Sequence, residues 1–286
     1  MTLSEFSDTF TTLLNSYNTQ ARFGEEASKR EIVLDEYEKS VLLTQAQDII
    51  VKSYFDAALN SQGQGFDDST RRQVDFSSLI KVADLEVSDN TAKFDERGKM
   101  FKMPAKQDAG GNDIADTSDV LFILNEKVVC EEITDATTSP KKTRIFNLVV
   151  VPISYKEYDR EMSKPFAQPL KKQAWRLFQN NATGYDIDTE LILKQAIADK
   201  YTATPTNKGD IGITYRIRYV RRPQPIVLEQ MPDGLSIDGK SEATDCELNP
   251  ILHMDILNKA VELAITTRGG GQAPSSNERD GQPQRR

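Results

Sequence analysis

Histidine is nearly missing from this chain, with His253 the only one, and Cys130 and Cys246 are the only cysteines. Those counts exclude a zinc site of Cys and His ligands, and no nucleophile–histidine pairing can be read from the sequence. The two cysteines lie far apart and are expected to stay reduced and half buried. No apolar run approaches the roughly eighteen residues that cross a bilayer. The opening residues MTLSEFSDTF lack the basic flank and apolar stretch of a secretory signal. Neither a membrane partner nor export is expected, so Asn181-Ala182-Thr183 is a glycosylation motif in form only. Gly63-Gln64-Gly65 lacks the third glycine of a dinucleotide loop, and no P-loop lysine motif occurs. The net charge of −8 gives no global signature of a nucleic-acid binder. No cofactor, catalytic set or metal site is expected. A chain of 286 residues can bury roughly three quarters of its unfolded surface, so it folds without such staples.

What is present is a set of helix signals at both ends. Thr2 and Glu5 form a capping box, and Leu3, Phe6, Phe10, Leu13, Leu14 and Tyr17 follow at helical spacing. Residues 23–30 read as a turn. The next stretch, residues 31–59, contains no Gly or Pro and predicts one helix of about 40 Å, opened by a Ser28–Glu31 capping box. Its apolar residues fall on two stripes, Tyr37, Val41, Phe55 and Leu59 on one and Leu42, Leu43, Ala46, Ile49 and Ile50 on the other, so two neighbours are expected. Residues 60–70 break the pattern. Near the C-terminus, Asn249-Pro250 starts a helix that puts Ile256, Leu257, Ala260, Val261 and Ala264 on one face. His253, on the first turn of that helix, reads as a structural or surface group. Residues 272–286 carry too little apolar surface to fold alone.

Between these ends the texture is β-like. Leu79, Lys81, Ala83, Leu85 and Val87 alternate imperfectly, and residues 98–104 form a short strand ended by Pro104. Residues 105–117 are expected to be a mobile loop. Residues 120–132 and 144–151 are the best strand candidates, and Ser154 with Glu157 caps a short helix over SYKEYDREM. The segment around Trp175 reads as extended. Residues 186–201 allow a strand and turn or a helix, with strand favoured over 189–193. Residues 211–220 alternate cleanly, Ile213, Tyr215, Ile217 and Tyr219 on one face and Arg216 and Arg218 on the other. Residues 234–247 are loop-like.

Two charged groups stand out. Asp186, Asp188 and Glu190 would share one side of a strand, where they could bind a divalent cation or simply form a solvated acidic edge; the edge is the favoured reading. Arg216, Arg218, Arg221 and Arg222, with Lys171 and Lys172 as possible additions, form either a polar sheet face balanced by carboxylates or a docking surface for an acidic partner or passing DNA.

The runs LDEYEKSVLLTQAQDIIVKSY (34–54), VLFILNEKV (120–128), VVPISYKEYDREMSKPFAQPLKKQAWRL (150–177), YVRRPQPIVL (219–228) and CELNPILHMDILNKAVELA (246–264) carry a further signal. In order and spacing they resemble the head-to-tail connector, or ring adaptor, proteins of crAss-like bacteriophages. Residues 178–212 and the Gly-rich tail lie outside the matching runs. The resemblance implies a structural virion protein and not an enzyme. It would be made in the host cytoplasm and placed in the neck, at the head-tail junction. Its partners would be further copies of itself in a homo-oligomeric ring, a dodecamer of about twelve, the portal protein, a following ring or tail protein, and the genomic DNA passing through. The implied fold class is α+β, a helical bundle from N-terminal and C-terminal helices with a β-rich insertion between them. The corresponding domains are a helical core over 1–62, the insertion over 75–247, a completing helix over 248–268, and a disordered or partner-ordered tail over 269–286. Partner-binding candidates are Tyr37, Val41, Phe55, Arg216, Arg218, Arg221 and Arg222. Another virion or tail-associated binding protein is the alternative, and a metal-dependent nuclease using Asp186, Asp188 and Glu190 is the remotest one.

Overall fold

Thr2 opens the first helix: its hydroxyl accepts from the Glu5 N–H at 3.3 Å while the Glu5 carboxylate accepts from the Thr2 N–H at 2.8 Å. The computed structural model describes residues 1–20, 33–55, 74–88, 93–107, 113–138, 140–164, 168–180, 187–232 and 234–268. The chain divides into two units, Met1–Leu79 with Pro223–Arg286, and Ile80–Arg222.

In the first unit, α1 (Leu3–Gln20) buries Phe6, Phe10 and Leu14, one side chain per turn on one stripe. Each such burial contributes about 1.5–3 kcal/mol. The second helix, α2 (Glu36–Phe55), starts later than expected. Asp35 caps it, accepting from the Glu38 N–H at 2.7 Å. The expected Ser28–Glu31 box, the turn at 23–30, Leu59 and the break at 60–70 all lie outside the described residues. The C-terminal helix, α5 (His253–Arg268), is introduced by a 3-10 turn, Pro250–Leu252, whose N-cap Asn249 accepts from Ile251 N–H. It buries Ile256, Leu257, Ala260, Val261 and Ala264, the face read from the sequence. α5 packs against both α1 and α2, which touch each other little.

The rest of α2 is closed by extended chain. Ser40, Thr44 and Gln47 are buried and lie three to four residues apart on one side of the helix. Ser40 Oγ accepts from the Leu228 N–H at 3.0 Å. Thr44 Oγ1 accepts from the Ile226 N–H at 3.1 Å and donates to the Ile226 carbonyl at 3.3 Å, and Gln47 Nε2 donates to the Gln224 carbonyl at 2.7 Å. Polar side chains here take the part that a neighbouring strand plays in a sheet. Val41 packs beside this strap against Val227, Met231 and Ile237. Beyond the strap the chain turns at Asp238 and Gly239, both with positive φ, 48° and 78°, as a tight hairpin turn requires, and returns to pair Thr244 with Val227. On the α1 side, the Lys39 ammonium donates to Ser7 Oγ at 2.9 Å and Glu36 Oε1 at 2.8 Å.

The second unit is a seven-stranded sheet in the order β1-β9-β5-β6-β7-β8-β2. The strands are β1 (Ile80–Leu85), β2 (Gly98–Lys102), β5 (Val120–Asp135), β6 (Lys142–Pro152), β7 (Gln173–Asn180), β8 (Ile187–Ile192) and β9 (Ile211–Arg221). β6 and β7 are parallel, and their crossover carries α3 (Tyr155–Met162) with the Ser154–Glu157 capping box in place. A short helix, α4 (Gln195–Ala198), follows β8. The sheet curls until its edges meet: Val87 bridges Phe101 on β2, and the Ser88 N–H donates to the Met100 carbonyl at 2.7 Å. The inner face holds Ile211, Ile213, Tyr215, Ile217 and Tyr219 with Val128, Cys130, Leu148, Val150, Leu191 and Phe101. Phe101 meets Tyr215 edge to face at 5.4 Å. The outer face of β7 and β8 is covered by α3 through Tyr158, Leu177 and Ile192.

Two expectations fail. The helical bundle carrying a β-rich insertion is replaced by a mixed α/β chain built on the curled sheet, with five α-helices among the described residues. Two of those five are short and belong to the sheet unit. The other three do not form a bundle, because the open side of α2 is taken by the strap from residues 224–228. The loop expected over 105–117 contains β3 (Ala105–Gln107) and β4 (Asp113–Ser118), paired antiparallel.

Replacing the Thr44 hydroxyl by a methyl group strands two backbone groups of Ile226. Thr44→Val is expected to lower unfolding free energy by about 1–3 kcal/mol, read as a fall in the urea midpoint with the slope unchanged.

Candidate interaction surfaces

Two polar knots stiffen the sheet unit. In the first, Glu190 on β8 is fully buried and accepts from the Phe94 N–H at 3.0 Å and the Asp95 N–H at 2.9 Å. Asp95 receives a forked contact from Arg97, Nε to Oδ1 at 3.0 Å and Nη2 to Oδ2 at 2.6 Å, and the Tyr158 hydroxyl donates to Oδ2. Burial alone would raise the Asp95 carboxyl, but hydrogen bonds from Arg97 and Tyr158 outweigh it and hold it at about 2. Burial and the Asp95 contact push the Tyr158 hydroxyl up to about 12. Burial also raises Glu190, against the two N–H donors that oppose the rise. There is room for Glu190 only because residue 98 is glycine: a Cβ there would lie 1.8 Å from Glu190 Oε1 and 2.9 Å from the Asp95 carbonyl.

The second knot lies on the inner face of the sheet. Glu126 on β5 takes Arg176 Nη1 at 2.8 Å and the hydroxyl of the fully buried Tyr215. Burial and the Glu126 charge raise the Tyr215 hydroxyl. Arg176 also stacks over Phe178 at 4.3 Å. These contacts join β5, β7 and β9 by side chains across the curl.

The acidic group differs from its expected form. Asp188 and Glu190 are 4% and 0% exposed on β8, which has a neighbour on each side, so they are not a solvated edge. Asp186 lies outside the described residues. Among the described residues no cluster of three or more His, Cys, Asp or Glu is arranged to hold a metal ion. Burial raises the thiols of Cys130 to about 12 and of Cys246 to about 11, which keeps both protonated at neutral pH. His253 is buried against Phe6 at 4.9 Å, its Nε2 lies 3.1 Å from the Leu248 carbonyl, and burial lowers its pKa.

The sequence-derived partner candidates are dispersed. Tyr37 is 37% exposed on α2, Val41 packs into the strap, and Phe55 meets Phe76 at 5.4 Å. Arg216 is held by Asp84 through Nε to Oδ1 at 2.5 Å and Nη2 to Oδ2 at 2.6 Å. That pair is exposed on both sides, so water and salt screen it and it adds little to the stability of the fold. Arg218 and Arg222 are exposed, while Arg221 is half-buried and donates toward the Arg222 carbonyl. Lys171 and Lys172 precede β7, three strands from β9, so they do not join the arginines. Sequence reasoning missed a different surface. On the outer face of β1, β9, β5 and β6, Val82, Ile145 and Val149 are 64%, 66% and 62% exposed. Their alternation with inner residues was visible, but which strands α3 covers was not.

Gly98→Ala is expected to destabilise by about 3 kcal/mol or more, since Glu190 must abandon two backbone donors; chemical denaturation checks it. Asp95 titrates lower in the folded chain than its ordinary 3.8, so its contribution is fully present above that value and is lost as pH falls toward about 2. With solvent screening included, the contribution is about 1–2 kcal/mol. Asp95→Asn should therefore flatten the pH dependence of the urea midpoint across this window relative to the parent chain.

A family model described as phage tail ring protein 3/4 matches residues 1–276. "Ring protein 4/5" of Bacteroides phage crAss001 is 38% identical over 269 residues, covering 92% of each chain. "Ring protein 3" of the same phage is 30% identical over 270 residues, covering 94% of this chain and 96% of the relative. A likeness that runs through both units and nearly the full length of each relative leads to one conclusion: this chain belongs to the phage tail ring protein 3/4 family.

Proposed function

We propose that this protein is a structural component of a bacteriophage virion and that copies of it close into a ring at the head-to-tail junction, between the portal and the tail, with the genome passing through the opening. The observation that carries the reading is the full-length likeness to two proteins of one phage that are both named for rings. The buried, mutually satisfied polar groups of the sheet unit fit a scaffold: they fix one shape, and every subunit of a ring must share that shape. About twelve copies would match a portal, and repetition around a closed circle lets modest contacts add up.

A second reading puts the ring within the tail, out of contact with the portal, and the family's description as a tail ring protein favours it. Cryo-electron microscopy of intact virions separates the two. The expected result is an annulus at the neck whose density fits the curled sheet and the three long helices. An annulus seen only further down the tail supports the second reading. Absence of the chain from every ring of the particle would sink both.

A further inference from the structure

The sheet closure gives the second unit two opposite sides. Counting strands round the curl, the midpoint between β9 and β5 faces β8 across the barrel. One side is bare and the other carries α3.

On the bare side, Val82, Ile145 and Val149 are each more than 60% exposed. Register places Asp84, Arg216, Lys127 and Val149 in one transverse row, and Val82 and Arg218 in the next. Within these two rows Asp84 is the one carboxylate beside three cations, and it is already committed to Arg216; the exposed Glu86 continues the outward alternation one row further on. Glu131 lies beyond, next to Ile145. Arg218 has no ion pair or hydrogen bond among the described residues. The surface is apolar with an uncompensated positive centre.

The opposite side presents an aromatic stripe with one acid: Tyr155, Asp159 and Met162 share one side of α3, and the exposed Lys156 and Arg160 lie off it. Phe94, Tyr155 and Met162 are 50%, 42% and 38% exposed. Phe94 is locked edge to face against Tyr155 at 5.3 Å and Tyr158 at 5.2 Å, and Arg97, held by the Asp95 knot, donates toward Met162 Sδ at 3.1 Å. Asp159 is exposed on the same helix, with no side-chain partner among the described residues. Aromatic and methionine side chains already fixed by a buried network lose little entropy on docking and are enriched at interface centres. Ring faces also attract cations.

We propose that these two surfaces meet in adjacent copies: the bare β9-β5-β6 face of one protomer seats against the Phe94, Tyr155 and Met162 face of the next, with Lys127 and Arg218 toward the aromatic faces and Asp159. The contact is heterologous, so a growing series keeps one free surface of each kind at its two ends, and those ends meet in a ring when the rotation between copies closes. This assignment rests on the ring reading above.

The test uses phage in which every copy carries both Val149→Cys and Met162→Cys, treated with a short bismaleimide. A ladder of linked copies is expected on denaturing gels, and neither single variant should give more than the parent chain. A ladder stopping at dimers, or equal products from a single variant, overturns the heterologous pairing. No ladder from particles whose ring is visible by microscopy overturns the surface while leaving the ring reading intact, whereas particles without the ring overturn that reading. Independently, Lys127→Glu with Arg218→Glu should cause loss of the chain from particles without loss of its folded circular dichroism signal, and Asp159→Lys added to that pair should restore incorporation. Undiminished incorporation of the charge-reversed chain would also overturn the proposal.

Discussion

Three side chains of one helix hold together parts of the chain that are far apart in sequence. Thr44 and Ile226 are 182 residues apart, yet one hydroxyl satisfies both backbone groups of Ile226. Without Ser40, Thr44 and Gln47 on that side of α2, the strap at residues 224–228 would bury peptide groups with no partner, at a cost of about 1–3 kcal/mol for each. The first unit therefore exists only as a joint product of both chain ends. Its apolar contacts, Phe6, Phe10 and Leu14 with the buried face of α5, supply most of the driving force, while the hydrogen bonds decide which side of α2 the strap occupies.

The sheet unit solves its own edge problem. An open seven-stranded sheet would present two unpaired edges, and the contact of residues 87–88 with residues 100–101 brings those edges together. Buried charge then specifies the closure. Glu126 binds side chains from two other strands, and Asp95 and Glu190 join β8, the segment before β2, and α3. Such groups add little net stability compared with apolar replacements, but a misregistered strand would leave them unpaired at about 3–5 kcal/mol each. They act on shape more than on strength.

Local signals were legible in the sequence and remote ones were not. The capping boxes at Thr2–Glu5 and Ser154–Glu157, the Asn249-Pro250 start, the buried face of α5 and the alternation through Tyr215 are set by neighbours within a few residues, and each is found in the structure. The two-stripe reading of α2 missed that Ser40, Thr44 and Gln47 are interior, because their partners lie far along the chain. The bundle expectation failed for the same reason: a helix whose third neighbour is extended chain looks, in one dimension, like a helix awaiting another helix. Asp188 and Glu190 looked solvated because alternating acids usually are, and only the glycine at 98 makes room for Glu190 within the sheet. The bare sheet face was hidden because period-two alternation tells inside from outside but not covered from uncovered.

The interrupted first unit also bears on when the protein becomes competent. During translation the sheet unit, Ile80–Arg222, leaves the ribosome as one continuous piece, whereas α1 and α2 must wait for α5, the last described helix to be synthesised. At that stage the sheet unit is complete, while the helical unit is half-built and its apolar side chains have nothing to cover them. Chaperone engagement would fall in that interval, and release from it would coincide with the arrival of residues 253–268.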